Sequence, residues 1–163
     1  MFLPISKLPA QVLRNPVEEV VFPLDKKMKR LLMDMLDTVQ SAEGIGLAAT
    51  QVGKSLNLAL IFLAHQGKEP FFICNPKIIK TSKEEVAIEE GCLSIPGVYG
   101  MVSRPKKITV EYFDLLGEKQ TIEDDGWTAR VLQHEIDHLN NILICDKFKT
   151  ITKGGEMLKH FNP

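Results

Sequence analysis

His134-Glu135-Ile136-Asp137-His138 sets two histidines four residues apart with an acid next to the first. On an α-helix, residues four apart lie on one face, so both imidazoles can grip one metal ion while Glu135 sits beside whatever the ion binds. A metal-activated water next to a carboxylate base is hydrolytic chemistry. The neighbours supply the helix. Val131, Leu132, Ile136 and Leu139 recur at helical spacing and predict an amphipathic helix from about Thr128 to Asn140, with His134 and His138 turned inward. Trp127 falls on the same stripe, four residues before Val131, which puts its indole near the metal pocket; the alternative is that the ring only covers the core. Without the helix, the same five residues are a polar turn that carries two histidines.

At 163 residues the chain fits one domain, able to bury roughly 70 % of its unfolded surface without staples. Twenty basic and 21 acidic residues, for a net charge of −1, give no global field to hold nucleic acid or an anionic membrane. The expected partner is therefore small or neutral. Three cysteines without close spacing argue against a disulfide framework and for a reducing compartment. No apolar run approaches a membrane span, and the start MFLPISKLPA lacks the charged lead and unbroken apolar stretch of a signal peptide. The expectation is a cytoplasmic protein, although a processed organelle enzyme would read the same.

Outward from the HEIDH helix the chain alternates in character. Met28, Leu31, Leu32, Met35, Leu36 and Val39 predict a long core helix after Asp25. It stops at the glycine-rich segment Gly44-Ile45-Gly46-Leu47-Ala48-Ala49-Thr50-Gln51-Val52-Gly53. Leu56 to Ala64, Pro70 to Ile79, Val86 to Ile88 and Ile108 to Phe113 read as strands, and Leu116-Gly117 before Glu118 to Ile122 as a hairpin. Ile142 to Cys145 reads as a short strand, and the lysine-rich tail from about residue 148 as a solvated end with a weak helix. The predicted class is α+β, with mixed, largely antiparallel strands packed around the HExxH helix.

A catalytic metal needs about three protein ligands and an open position, so HEIDH requires one more donor. Cys74 and Cys145 lie inside apolar runs and read as small buried hydrophobes. Cys92 sits in Glu90-Gly91-Cys92-Leu93-Ser94-Ile95-Pro96-Gly97, where Gly and Pro imply a turning backbone able to present a thiolate; a core thiol at a strand end is the competing reading. His65 and His160 stand alone among polar residues and read as surface. Gly44-Ile45-Gly46-Leu47-Ala48-Ala49 formally matches a dinucleotide fingerprint, but it follows a helix instead of a strand. Either it is a tight turn against the core, or its glycines let a substrate backbone approach while Gln51 offers an amide donor to an oxyanion.

GIGLAATQ, EGCLS and QHEIDH, in this order and at these separations, resemble the three signature motifs of peptide deformylases, over nearly the whole chain from the helix after Asp25 to about Phe148. The resemblance implies a single metal-dependent deformylase domain over residues 1–163. It also implies an enzyme that removes the formyl group from the N-terminal formyl-methionine of new polypeptides, releasing formate. Its metal is one divalent ion, natively ferrous iron, with zinc, nickel or cobalt as substitutes. Carried over, the match makes Cys92, His134 and His138 the ligands and Glu135 the general acid/base. Gln51 and the Leu93 N–H bind the formyl oxygen, and Ile45 and Gly46 line the substrate. Glu90 and Arg104 pair as a brace behind the cysteine loop. The implied partners are formyl-methionyl nascent chains and a transient ribosome contact, with no direct nucleic-acid or membrane binding and a monomeric state.

The chain departs from the family pattern at two places. Trp127 stands where a leucine is usual at the mouth of the methionine pocket, and Asn141 where a glycine is usual after the helix. Asparagine tolerates the left-handed conformation that glycine supplies there. The tail lacks the longer basic helix that some relatives use at the ribosome. Another HExxH metallohydrolase such as a peptidase, a structural zinc protein and a thiol hydrolase using Cys92 are the competing functions; formate release against internal peptide cleavage separates the first of them.

Overall fold

In the computed structural model, which describes residues 1–161, helix α1 (Lys26–Ser41) leads into strands β1 (Gly46–Ala48), β2 (Leu58–Ile61), β3 (Phe71–Thr81), β4 (Glu85–Cys92), β5 (Ile95–Pro105), β6 (Ile108–Phe113) and β7 (Lys119–Asp124). Helix α2 (Trp127–Leu139), short helix α3 (Ile144–Lys147), strand β8 (Phe148–Lys153) and single turn α4 (Gly155–Leu158) follow. All named strand pairs are antiparallel, in two sheets of order β1-β2-β3-β6-β7 and β4-β5-β8. The class is α+β.

Period-two alternation explains why two helices cover one sheet. Along β2, Leu58 and Leu60 join the cluster containing Leu32, Met35 and Val39 of α1. Ala59 and Ile61 join the cluster containing Ala129, Leu132 and Ile136 of α2. Leu47 and Ala48 of β1, and Cys74 and Ile73 of β3, divide in the same way. Each strand face thus buries apolar side chains worth about 1.5–3 kcal/mol apiece, and α2 is pinned by its apolar stripe against the sheet. A third cluster joins Leu8 and Leu13 of the N-terminal segment to Ile95, Val98 and Val102 of β5 and to Leu143 and Ile144.

Both main helices have side-chain or backbone stops. The Asp25 carboxylate accepts the Met28 N–H at 2.7 Å, capping α1. Helix α2 closes immediately after the HEIDH histidine: the Asn141 N–H donates to His138 O (3.1 Å) and the Ile142 N–H to Asp137 O (2.9 Å). This is a Schellman closure with Asn141 in the left-handed region at φ 62°. The Asn141 side chain also donates to the Asn15 carbonyl, which a glycine could not do.

Three segments differ from the sequence expectation. Ile142 to Cys145 is not a strand: the Leu143 N–H donates to the Asp146 carboxylate at 2.9 Å, and that capping contact starts α3. Ile95–Pro105, read from sequence as a turning backbone up to Gly97 and otherwise unassigned, is the central strand of the second sheet, paired with β4 and β8. The expected solvated tail begins with β8, an edge strand whose Phe148 pairs with Val102; positions 162 and 163 of that tail lie outside the described residues. Among the described residues, no helix is long and apolar enough to cross a membrane.

Candidate metal centre

The site lies where an edge strand of each sheet meets α2. Cys92 ends β4, and the sharp turn into β5 pairs it with Ile95 across a register shift. One helical face of α2 presents His134 and His138, whose rings lie 5.2 Å apart centre to centre. Cys92 Sγ lies 3.3 Å from His138 Nε2, and one ligand atom from each of the three residues falls within 4.8 Å of the others. Two donors on one zinc-like ion, at about 2.3 Å for sulfur and about 2.1 Å for nitrogen, sit roughly 3.5 Å apart. The observed spacing therefore fits a single ion. A thiolate with two imidazoles suits zinc and iron alike. Cys74 is fully buried inside β3, and burial pushes its thiol up to about 12; it is a core residue. His65 and His160 are exposed, away from this cluster.

Behind the ligands stands a buried ionic network. His134 Nδ1 is 2.9 Å from Glu90 Oε1, leaving Nε2 for the site. Glu90 also accepts from Arg104 through Nε (2.7 Å) and Nη2 (2.9 Å) and from Arg130 Nη1 (2.9 Å). Burial alone would raise the Glu90 carboxyl, but the hydrogen bonds from His134 and Arg104 hold it below the usual carboxylate range. Arg104 reaches onward to Asp137 at 2.6 Å, and Lys147 to Asp137 at 3.0 Å. The sequence reading found Glu90 and Arg104 but missed Arg130, Asp137 and Lys147. Arg130 stands one turn before His134 on the same face, so the helical stripe carried the signal.

Gln51 is oriented by its own turn. The Ala48 N–H donates to Gln51 Oε1 at 2.9 Å, which aims Nε2 at Ser94 Oγ (3.2 Å) and Cys92 Sγ (3.5 Å). Its backbone and that of Ser94 are clamped from behind, the Ser6 N–H donating to Gln51 O (2.7 Å) and the Leu8 N–H to Ser94 O (3.0 Å). Residues 1–24 received no role from the sequence; besides packing into the core, they hold these two backbone positions of the site.

Glu135 is 3 % exposed, and its Oε2 has no hydrogen-bond partner. Burial pushes its carboxyl up to about 7. An acid kept buried with a free oxygen, beside three convergent ligands, is poised to exchange a proton near neutral pH. His138 is held below its ordinary value by burial and by the His134 and Arg104 charges, which favours the neutral imidazole a metal requires. The centre opens into a cleft of about 480 Å³ lined by Ile45, Gly46, Leu93, Trp127, His134 and Glu135, among others. His138 lies beneath the floor, 1 % exposed, and the Trp127 indole stands at the opening, 48 % exposed.

The sequence matches the polypeptide deformylase family over residues 2–154. It is 46 % identical over 145 residues to the peptide deformylase of Rhizobium meliloti, covering 88 % of this chain and 83 % of that protein. The crystal structure of a peptide deformylase from Legionella pneumophila superposes with a TM-score of 0.87 at 37 % identity, covering 99 % of this chain and 92 % of that one. A peptide deformylase from Synechococcus elongatus, solved in complex with actinonin, gives 0.86 at 42 % identity over 90 % of this chain and 80 % of that one. With the family pattern matched over residues 2–154 and the ligand atoms of Cys92, His134 and His138 grouped within 4.8 Å of one another, the chain belongs to the peptide deformylase family.

Proposed function

We propose that Cys92, His134 and His138 hold one divalent metal ion, natively ferrous iron with zinc, nickel or cobalt as substitutes, and that Glu135 carries the proton of the deformylase reaction. The reaction is hydrolysis of the N-formyl group of formyl-methionine on new polypeptides, releasing formate. The observation that carries the assignment of roles is the approach of three ligand atoms to within 4.8 Å, beside a buried Glu135 with an unpartnered oxygen.

Bound there, a divalent ion supplies Lewis acidity, bringing the pKa of water towards about 7 and polarising a carbonyl oxygen. The Glu135 carboxylate takes the proton of the attacking water at Oε2 and returns it to the amine nitrogen as the carbon–nitrogen bond breaks. Gln51 Nε2 and the Leu93 N–H donate to the formyl oxygen as charge gathers on it, each donor worth on the order of a hundred- to a thousandfold. Gly46 gives the substrate backbone room, while Ile45 and Trp127 flank the methionine side chain. The whole chain acts as one domain, and a monomer that touches the ribosome transiently belongs to the same proposal.

The test is anaerobic purification, metal analysis and formate release from formyl-Met-Ala-Ser. One metal per chain with formate as product supports the assignment; internal peptide cleavage without formate points to another HExxH hydrolase.

A further inference from the structure

Strand β8 and the turn after it are fitted against β5 at glycines. A methyl group on Gly100 of β5 would lie 2.8 Å from the Thr150 carbonyl and run into the Phe148 ring. Gly154, directly after β8 and left-handed at φ 71°, is closer still: a methyl group on it would run into the Gly97 carbonyl. Backbone this near to backbone admits only glycine. Beyond it, Met157 closes on Gly97, and Leu158 and Phe161 pack against the cluster containing Ile95 and Val98.

Three residues held by this segment line the catalytic cleft: Glu89, Gly97 and Tyr99. The Thr152 hydroxyl donates to Glu89 Oε2 at 2.6 Å, the Lys153 ammonium stands 5.4 Å from the centre of the Tyr99 ring, and Gly154 bears on Gly97. Consecutive residues thus grip consecutive parts of one wall. The Tyr99 ring in turn lies on Gly91, where a methyl group would be 2.7 Å from Cδ1, and Gly91 directly precedes Cys92. Glu89 stands three residues before Cys92 on β4, roughly 10 Å at about 3.3 Å per strand residue. An extended peptide with its formyl group at the metal centre reaches that far only with the residues after methionine.

Resting on the deformylase reading, we propose that Thr152, Lys153 and Gly154 are positioning residues: by holding Glu89, Tyr99 and Gly97 they fix the cleft wall against which the chain after the formyl-methionine lies. None of the three lines the cleft, so each acts through the residue it holds. The wall is preformed, and a substrate long enough to use it loses less on binding than one that must order it. The metal centre and Glu135 lie deeper and do not depend on the segment.

The test measures steady-state kinetics of the metal-loaded protein and its Lys153→Gln and Gly154→Ala variants on formyl-Met-Ala-Ser and on formyl-methionine amide, which is too short to reach the wall. Lys153→Gln should raise KM for the tripeptide about two- to fivefold, the worth of an exposed cation–π contact, and Gly154→Ala at least as much. Both should leave kcat, the KM of the amide and one metal per chain as in the parent. Lys153 is exposed, so its variant carries the test even where Gly154→Ala does not fold. In a double-mutant cycle the Lys153→Gln effect should vanish beside Tyr99→Leu, because Lys153 acts through that ring. An unmoved tripeptide KM in Lys153→Gln, an equal change on both substrates, or an effect fully retained beside Tyr99→Leu overturns the proposal. No formate from the parent on either substrate overturns the deformylase reading itself.

Discussion

Gly46 and Glu135 are packed so closely that a methyl group on Gly46 would lie 2.9 Å from both Glu135 Cγ and Cδ. The edge of β1 thus rests against the buried acid, and nothing larger than hydrogen fits between them. Gly46→Ala should displace the Glu135 carboxylate, lowering kcat at least tenfold while metal content stays near one per chain. Overpacking of this kind costs about 1–3 kcal/mol, so the melt should shift by several degrees. Normal kcat in Gly46→Ala would show that the position of Glu135 is not critical.

Arg104 is 2 % exposed and bonds both Glu90 and Asp137. Arg104→Leu takes a partner from two carboxylates, leaving Glu90 with Arg130 and His134 and Asp137 with Lys147, and should destabilise the fold by up to about 3–5 kcal/mol. Because Glu90 orients His134, metal affinity should also fall, by roughly ten- to a hundredfold. Denaturation of the metal-loaded protein and a competitive chelator titration separate the two effects. Unchanged affinity with a large loss of stability would reduce the network to a structural role.

The HEIDH helix, the long helix after Asp25 and the Cys92 loop could be read from sequence because each depends on local spacing: a helical stripe, or a turn rich in Gly and Pro. Strand β5 could not be read that way. Pro96, Gly97, Gly100 and Pro105 are poor strand residues, and the segment is extended only because β4 and β8 pair with it on either side. The exposed, polar β8 depends on the same distant partner. Ile142 to Cys145 has the apolar character of a strand, but Asp146 and the left-handed Asn141 decide for a helical turn. In the site, the missed members Arg130, Asp137 and Lys147 matter through Glu90 and Arg104, partners that sequence spacing does not reveal.

The three thiols should differ in reactivity. In the chelated, folded protein at about pH 8, Cys92 should react with an alkylating agent and Cys74 should not, its thiol being buried and raised to about 12. Reloading with zinc should protect Cys92 while leaving Cys145, half-buried in α3, unaffected. Peptide mapping by mass spectrometry reads this directly; protection of Cys145 in place of Cys92 would move the third ligand.

Trp127 is half-exposed at the cleft opening, so Trp127→Leu should cost little stability, within about 1 kcal/mol. The substitution removes contacts shared by bound substrate and transition state, so KM for formyl-methionyl peptides should change more than kcat. An unchanged KM with a large fall in melting temperature would make the indole a core residue.

The central claim is that one ion held by Cys92, His134 and His138 works together with the Glu135 proton carrier. Metal stoichiometry and single-turnover formate release, measured side by side for the parent enzyme, Cys92→Ser and Glu135→Gln, test it most directly. Glu135→Gln should keep one metal per chain and lose activity by at least a hundredfold, because the amide fills the space but cannot take the proton; Cys92→Ser should lose the metal and the activity together. Near-normal formate release by fully loaded Glu135→Gln, or full metal content in Cys92→Ser, would contradict it.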